Sequence, residues 1–325
     1  MMQNKWKIVM PTPVPAAGMA LLKVRPDVEA VVLGKFSTEA FHAALKDAHG
    51  VTLGLTPFGE AECEAAPELK VAARIGVGYD TVDVPALTRR KIPLMVTGIA
   101  NSVSVAEHAI FLMMSLAKRG ADYDRMVREN RWGDRFGELP VDLFQKTLLI
   151  IGFGRIGSRT AKRCLAMDME VLVYDPYVPP AVIRGSGCEP VANLKDGLAR
   201  ADFVTVHCPK NAETVDLIGR GELAAMKRTA YIVNTARGGI INEDALYDAL
   251  KGGTIRAAGL DVLDKEPPAE AHKLCALPNI IFAPHMAGVT AEALARMAAA
   301  TVQNVLDVFD GKPNPDNVVN REVLA

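Results

Sequence analysis

An apolar strand runs directly into a glycine-rich turn at positions 148–157, Leu-Leu-Ile-Ile-Gly-Phe-Gly-Arg-Ile-Gly. Gly152, Gly154 and Gly157 have the spacing G-x-G-x-x-G, and the residues from Arg155 onward have a helical pattern. In such a turn the first glycine allows a sharp bend, the second lets backbone approach a pyrophosphate, and the third lets the helix pack against the strand. The helix N-terminus offers N–H groups to phosphate. The motif therefore predicts a dinucleotide-binding βαβ unit.

The next predicted strand, Glu170–Tyr174, ends in Asp175, which lies 18 residues past Gly157. An acid about 20 residues after the glycines can hydrogen-bond to the ribose 2′-hydroxyl. A carboxylate at this point repels a 2′-phosphate, and neither Lys nor Arg occurs between Asp175 and Arg184. The pattern predicts NAD(H) as the cofactor rather than NADP.

Short runs rich in Val, Ile and Leu alternate with helical patterns along the 325 residues. The first series of predicted strands is Lys7–Met10, Ala30–Leu33, Val51–Leu55, Val71–Ile75 and Leu94–Val96. The second series is Thr147–Ile151, Glu170–Tyr174, Phe203–His207, Ala230–Asn234, Ala257–Asp261 and Ile280–Ala283. Strands that alternate with helices indicate parallel sheets with right-handed crossovers. The chain is therefore predicted to be an α/β protein with two doubly wound parallel sheets.

The composition excludes several other classes of protein. A formal net charge of −1 gives no basic field for nucleic acid or an anionic membrane. The five cysteines form no C-x-x-C pair and the six histidines form no H-E-x-x-H motif, so no metal site is expected. The first residues lack the apolar core of a signal peptide, and no apolar run approaches the ~20 residues of a spanning helix. We expect a cytoplasmic protein with no nucleic-acid or membrane partner.

Three polar residues, Arg237, Glu266 and His285, follow later predicted strands, where ligands bind in open α/β sheets. Each alone is compatible with an ordinary surface or turn position. Together they suit reduction of a 2-oxo acid by a nicotinamide. A His beside a Glu can donate the proton that the ketone oxygen needs, because the carboxylate favours the imidazolium. An Arg can hold the carboxylate of the substrate in a bidentate pair and polarise the adjacent carbonyl.

At these motifs the chain resembles the D-isomer-specific 2-hydroxyacid dehydrogenase family, which includes glyoxylate/hydroxypyruvate reductases, D-lactate dehydrogenases and phosphoglycerate dehydrogenases. The resemblance runs from about Ala66 onward, whereas the N-terminal third matches weakly. It rests on the glycine turn and on the segments 67–80, 101–108, 234–239, 259–267 and 284–288. One departure is Gln145, which stands before Lys146-Thr147 where the family usually has a glycine. We expect only a local change in that loop.

The resemblance implies roles for individual residues. Arg237, Glu266 and His285 would be the catalytic set, and the backbone of Val77 and Gly78 would join Arg237 and His285 in binding the substrate. Beyond Gly152, Gly154, Gly157 and Asp175, it implies further cofactor contacts: the backbone of Arg155 and Ile156 at the pyrophosphate, Thr235 and Asp261 at the nicotinamide end, and His207 and Pro209 on the adenosine side.

The resemblance also implies an architecture in which a Rossmann cofactor domain is inserted into a flavodoxin-like substrate domain. Residues 1–101 would form the first part of the substrate domain, residues 102–290 the NAD-binding domain, and residues 291–325 a C-terminal helix that returns to the substrate domain. The Arg-rich stretch Arg125–Arg135, with Trp132, would belong to the arm of a homodimer; the alternative is a solvated helical face.

The loop Thr56–Gly59, which the resemblance places over the substrate side chain, contains neither Arg nor Lys. A phosphorylated substrate needs such a cation, so an uncharged side chain is favoured: glyoxylate, hydroxypyruvate or an apolar 2-oxo acid. Phe58, Trp132 and Met286 are candidates for an apolar lining, or for ordinary packing. Three alternatives stay open: phosphoglycerate dehydrogenase, phosphite dehydrogenase, and an NAD-sensing binding protein like the corepressors of this superfamily. Glu266 argues against formate, since formate dehydrogenases of this type carry Gln there.

Overall fold

The computed structural model describes residues 6–268 and 272–324. The chain divides into two compact units. Unit 1 comprises Met1–Asn101 and Val289–Ala325, and unit 2 comprises Ser102–Gly288. Unit 2 is thus inserted in sequence between the two parts of unit 1. The sequence predicts breaks after residues 101 and 290, and the units separate after residues 101 and 288.

Unit 1 is built on a five-stranded parallel sheet with the order β2-β1-β3-β4-β5. Its strands are β1 (Trp6–Met10), β2 (Val28–Val32), β3 (Gly50–Leu53), β4 (Val71–Arg74) and β5 (Leu94–Met95). Its helices are α1 (Ala16–Lys23), α2 (Thr38–Leu45), α3 (Glu60–Ala65), α4 (Val84–Arg89) and α12 (Ala291–Phe309). This strand order is that of flavodoxin-like folds, as the resemblance implies.

Three helices of unit 1 begin at a side chain that accepts a free backbone N–H. Ser37 accepts from Ala40 at the start of α2, Asp83 from Ala86 at α4, and Thr290 from Ala293 at α12. Helix α12 packs on α1, β3 and β4, so the C-terminal segment completes the core of unit 1. A parallel sheet covered by helices on both faces explains why most residues of its central strands β1, β3 and β4 are apolar and buried.

The position of Phe58 decides between the two alternatives that the sequence left open, a pocket lining and ordinary packing. Its side chain is buried in the core of unit 1, where its ring contacts that of Phe41 with the centroids 6.3 Å apart. Its backbone N–H donates to Thr81 O at 3.1 Å. Phe58 therefore stabilises the unit and does not line a substrate pocket.

Unit 2 is built on a seven-stranded parallel sheet with the order β12-β11-β10-β9-β6-β7-β8. Its strands are β6 (Thr147–Ile151), β7 (Glu170–Tyr174), β8 (Glu189–Pro190), β9 (Phe203–Val206), β10 (Tyr231–Asn234), β11 (Ala257–Leu260) and β12 (Ile280–Phe282). Taken from β6 onward, this is the Rossmann order 3-2-1-4-5-6 with one strand added. The order reverses between β6 and β9, so ligands are expected outside the carboxyl ends of these strands.

The helices of unit 2 cover both faces of this sheet. They are α5 (Ser102–Lys118), α6 (Gly120–Arg128), α7 (Gly157–Leu165), α8 (Pro180–Gly185), α9 (Leu194–Arg200), α10 (Arg220–Ala225) and α11 (Glu243–Lys251). Helix α5 packs against β10, β11 and α7. Within the described residues, no helix has both the length and the apolar character of a membrane span.

Candidate active site

The three glycines of the turn after β6 differ in what surrounds them. A Cβ on Gly152, which has φ of +94°, would lie 2.6 Å from Cys208 N, so the turn abuts the loop after β9. A Cβ on Gly157 would lie 2.1 Å from Gly152 O, so α7 starts in backbone contact with the turn. A Cβ on Gly154 would meet no protein atom within 4 Å. Two of the glycines are therefore required by packing, and the third leaves exposed backbone open to a ligand.

Asp175 follows β7 beside this turn. Its Oδ2 accepts the Phe153 N–H at 2.7 Å and its Oδ1 accepts the Tyr177 N–H at 2.9 Å. These bonds fix the carboxylate at the carboxyl end of β7 and tie it to the middle of the glycine turn. The sequence-predicted ribose-binding acid and the glycine motif are thus joined by a direct hydrogen bond.

Two polar atoms at the ends of β9 and β10 are buried and have no hydrogen-bond partner within the described part of the chain: His207 Nδ1 and Thr235 Oγ1. His207 Nε2 lies 3.1 Å from Thr205 Oγ1, and burial lowers the pKa of His207 to about 3. Buried polar atoms normally have partners. Together with the open backbone at Gly154, these two atoms fit a polar cofactor along this edge of the sheet. Pro209 follows in the same loop and is exposed.

Arg237, Glu266 and His285 follow β10, β11 and β12, which are adjacent strands. Glu266 Oε2 lies 2.6 Å from His285 Nδ1, and Glu266 Oε1 accepts the Leu263 N–H at 2.7 Å. His285 is the more exposed partner, with 47% of its side chain accessible against 32% for Glu266. The pair therefore leaves His285 Nε2 as the ring nitrogen that is not bound to the carboxylate.

Asp261, at the end of β11, organises the turn that carries His285. Its buried carboxylate accepts the N–H groups of Met286 and Ala287 at 2.7 and 2.9 Å, and its carbonyl accepts the His285 N–H at 2.8 Å. His285 has φ of +57°, a left-handed conformation that these three bonds hold. His108 Nε2 on α5 lies 3.8 Å from Asp261 Oδ1. Asp261 thus has a structural task in addition to its predicted place at the nicotinamide.

The loop after β10 is shaped by the buried Asn234. Its amide donates to Arg237 O at 2.8 Å and its carbonyl accepts the Ala236 N–H at 2.9 Å. Arg237 is half-buried, and its Nη1 donates to Ala236 O at 2.7 Å. No role was predicted for Asn234, although an Asn at the end of a predicted strand, three residues before Arg237, is a usable signal, because an Asn side chain can form such turns.

The remaining predicted site residues are distributed as follows. Arg155 and Ile156 lie between the glycine turn and α7, and Arg155 is exposed. Val77 and Gly78 follow β4 in unit 1 and are half-buried. Met286 is 44% exposed and Trp132 is 62% exposed. Among the described residues, no group of three or more His, Cys, Asp or Glu side chains is arranged to hold a metal ion.

A Rossmann sheet with a glycine turn, and a Glu–His pair and an arginine after its last three strands, is the arrangement of nicotinamide-dependent 2-hydroxyacid dehydrogenases. A family model described as "D-isomer specific 2-hydroxyacid dehydrogenase, NAD binding domain" matches residues 110–287. The chain belongs to this family. The match supports a nicotinamide cofactor, NAD or NADP.

Known relatives extend this similarity over most of the chain. A glyoxylate reductase from Korarchaeum cryptofilum is 38% identical over 86% of this chain and 85% of its own length. A D-3-phosphoglycerate dehydrogenase from Archaeoglobus fulgidus is 40% identical over the matched region, which makes up 77% of this chain and 47% of that protein. The chain thus spans about half the length of the phosphoglycerate dehydrogenases that it matches.

Solved structures show the same fold. The crystal structure of a glyoxylate reductase from Paecilomyes thermophila superimposes with a TM-score of 0.86 at 28% identity, covering 98% of this chain and 99% of that one. The prediction of two parallel α/β domains, one inserted into the other in sequence, is confirmed.

Proposed function

We propose that the protein is an NAD(H)-dependent oxidoreductase that interconverts a 2-oxo acid and a D-2-hydroxy acid with an uncharged side chain. The observation that carries this proposal is the 2.6 Å contact between Glu266 Oε2 and His285 Nδ1, next in the sheet to Arg237. A proton donor and a carboxylate-binding cation on adjacent strands are what reduction of a 2-oxo acid requires.

His285 is the proposed proton donor. Its Nδ1 faces Glu266, so Nε2 is the atom that transfers the proton to the ketone oxygen during reduction and takes it back during oxidation. Glu266 cannot swing freely, because its other oxygen accepts the Leu263 N–H. The carboxylate therefore fixes the orientation of the ring.

Arg237 is the proposed anchor of the substrate. A guanidinium can form a bidentate pair with the carboxylate of a 2-oxo acid and polarise the neighbouring carbonyl. The backbone of Val77 and Gly78 remains a predicted contact of the same carboxylate. With a net charge of −1, the chain has no general basic field, so recognition of the acidic substrate falls to such local groups.

The cofactor is proposed to bind along the carboxyl edge of β6, β7, β9 and β10. Backbone at Gly154, Arg155 and Ile156 would meet the pyrophosphate, and Asp175 the ribose. His207, Pro209, Thr235 and Asp261 line the rest of the predicted site. Bound nicotinamide supplies the hydride. We propose NAD rather than NADP, because the carboxylate of Asp175 is fixed by two N–H groups and disfavours a 2′-phosphate.

Oxidation of 3-phosphoglycerate is the second candidate function. It is favoured by the 40% identity to a D-3-phosphoglycerate dehydrogenase. The absence of Arg and Lys from the loop Thr56–Gly59 favours the uncharged substrate instead.

A substrate panel tests the proposal. Initial rates are measured at the NADH absorbance band with glyoxylate, hydroxypyruvate, a branched apolar 2-oxo acid and phosphohydroxypyruvate, each with NADH and with NADPH. We expect the highest kcat/KM for an uncharged acid with NADH. A preference for phosphohydroxypyruvate would support the second candidate, and a preference for NADPH would contradict the role of Asp175. Binding of NADH without turnover of any acid would instead support an NAD-sensing binding protein.

We also propose a homodimer in which the segment from α6 to Leu139 contacts the second copy. Helix α6 buries none of its residues, and exposed apolar side chains lie along this segment: Val127, Trp132, Phe136 and Leu139. Exposed apolar side chains are typical of an interaction surface where they form one contiguous patch, and a second copy would cover these four. Sedimentation velocity tests this part: a monomer at micromolar concentration would contradict it.

A further inference from the structure

A second Glu–His pair lies beside the proposed catalytic pair in unit 2. Glu243, the first residue of α11, places Oε2 2.9 Å from His272 Nε2. Only 17% of the Glu243 side chain and 21% of the His272 side chain are exposed, so this pair is better shielded than Glu266 and His285. The sequence separation of 29 residues leaves no local pattern that would reveal it.

The glutamates of the two pairs accept hydrogen bonds from consecutive backbone N–H groups. Glu266 Oε1 accepts the Leu263 N–H at 2.7 Å, and Glu243 Oε1 accepts the Asp264 N–H at 2.8 Å. Each glutamate thus uses one oxygen for the loop and the other for a histidine. The loop that carries Glu266 is therefore held from within by Glu266 itself and from outside by Glu243.

The same loop is packed against the loop that carries Arg237. A Cβ on Gly238 would lie 2.0 Å from Leu263 C and 2.3 Å from Asp264 N. Asp264 Oδ1 also accepts from Lys210 Nζ at 3.0 Å. With close packing on one side and Glu243 on the other, the peptide between Leu263 and Asp264 has little freedom to move.

We propose that Glu243 and His272 are positioning residues that fix the Leu263–Glu266 loop, and through it set the orientation of the Glu266–His285 pair. This proposal rests on the proposed function for its effect on turnover. His272 holds one oxygen of Glu243, which leaves the other aimed at the Asp264 N–H. Without the hydrogen bond from the Asp264 N–H to Glu243, the loop can adopt other positions. A misplaced proton donor lowers the rate of the chemical step more than it lowers cofactor affinity.

The test uses Glu243→Ala, with Glu243→Gln as the conservative variant and Asp244→Ala as the matched control. Asp244 is the neighbouring residue in the first turn of α11, is exposed, and pairs with Lys273 instead of the loop. Two properties are measured in the full chain: amide hydrogen exchange over 261–268, and steady-state kcat and KM for NADH. His272→Asn tests the same arrangement from the side of the histidine, since it removes the ring that contacts Glu243.

For Glu243→Ala we expect exchange at the Leu263 and Asp264 amides to rise about tenfold. We expect kcat to fall about tenfold with KM for NADH changed less than about twofold. Glu243→Gln restores both, because its carbonyl still accepts the Asp264 N–H; His272→Asn gives a smaller effect of the same kind. When Glu243→Ala is added to a protein that already carries Glu266→Gln, we expect kcat to fall by less than a further factor of about two, because Glu243 acts through Glu266.

Exchange equal to that of Asp244→Ala would overturn the proposal, and so would a loss of kcat that persists undiminished in the Glu266→Gln background. If the unmodified protein reduces no 2-oxo acid, the proposed function fails. The exchange measurement then still decides whether Glu243 holds the loop, so the two failures are distinguishable.

Discussion

The seven-stranded sheet of unit 2 has two unlike halves along its carboxyl edge. After β6, β7 and β9 the chain presents mainly backbone. This half contains the glycine turn, where a Cβ on the first or third glycine would lie as close as 2.1 Å to a backbone atom, and the carboxylate of Asp175, which backbone N–H groups hold in place. After β10, β11 and β12 it presents side chains: Arg237, Glu266 and His285, aligned by hydrogen bonds. We call these the cofactor half and the proton-transfer half.

The difference follows from what each half is proposed to bind. A pyrophosphate is bound by N–H groups that any residue can supply, so the sequence there is restricted by space. A proton must come from one ionisable atom, so the sequence in the other half is restricted by chemistry. Changes in the cofactor half should therefore act on folding or cofactor affinity, and changes in the proton-transfer half on turnover.

The largest expected effect is on the proton-transfer half. His285→Gln removes the proposed donor, and general acid catalysis typically contributes ~10²–10⁴-fold, so we expect kcat to fall about 10³-fold. The dissociation constant for NADH, measured by fluorescence titration, should change less than about twofold. His42→Gln is the matched control, because His42 forms a Glu–His pair with Glu62 in unit 1, with Nε2 3.1 Å from Oε1. Equal losses in the two variants would contradict the assignment.

The second prediction divides the glycines of the cofactor half. Gly157→Ala forces a Cβ to within 2.1 Å of Gly152 O, and overpacking of this kind costs at least about 2 kcal/mol of unfolding free energy. Gly154→Ala meets no protein atom within 4 Å, so its unfolding free energy should stay within about 0.5 kcal/mol of the unmodified chain. NADH affinity of Gly154→Ala should nevertheless fall about tenfold or more. Denaturant unfolding and NADH titration of both variants separate the two roles; normal NADH affinity in Gly154→Ala would sink the predicted pyrophosphate contact.

Most of the strands and the site-bearing loops could be predicted from the sequence, because buried parallel strands are continuously apolar and end in recognisable Gly, Pro or polar residues. Strand β8 was missed, since Glu189–Pro190 is only two residues long and shows no periodicity. The sequence left Phe58 open between a pocket lining and ordinary packing, because an aromatic residue in a loop is compatible with both; its burial selects packing. The Glu243–His272 pair depends on tertiary contact alone, so no sequence spacing could predict it.

A third prediction concerns the one histidine of the cofactor half. Burial lowers the pKa of His207 to about 3 from an ordinary value of about 6.5. Between these two pH values the unfolded chain binds a proton at His207 that the folded chain does not. Protonation of the unfolded chain therefore lowers the free energy of unfolding as the pH falls below about 6.5, whereas above that pH His207 causes no such loss. Over this window the slope approaches ~1.4 kcal/mol per pH unit.

Urea unfolding of the cofactor-free protein between pH 7 and pH 4 measures this loss. His207→Gln removes the titrating group, so its stability should fall less steeply than that of the unmodified chain. The difference isolates His207 from the carboxylates, which titrate in both proteins. If the two proteins lose stability equally over this pH range, His207 takes up a proton in the folded state as well. That outcome would contradict the prediction.

The smallest effect is expected at the opposite edge of the sheet, before β6, where neither half of the site lies. Gln145 has φ of +58°, in the left-handed region that costs a non-glycine residue ~1–2 kcal/mol. Its N–H donates to Asp168 O at 3.0 Å, which holds it there. The resemblance places a glycine at this position, and the backbone gives the reason. Gln145→Gly should therefore raise the unfolding free energy by about 0.5–1 kcal/mol, since relief of strain outweighs the added freedom of the unfolded chain.

Denaturant unfolding of Gln145→Gly, Gln145→Ala and Lys146→Gly checks this prediction. Alanine keeps the strain and should bring no gain, whereas glycine at Lys146, whose φ is not positive, should lower the stability by about 0.5–1 kcal/mol. Activity should be unchanged in Gln145→Gly, because a loop at the amino edge of the strands touches neither the glycine turn nor the Glu266–His285 pair. A change in kcat or in NADH affinity there would mean that the two halves are coupled through β6, and their separation along the carboxyl edge would no longer hold.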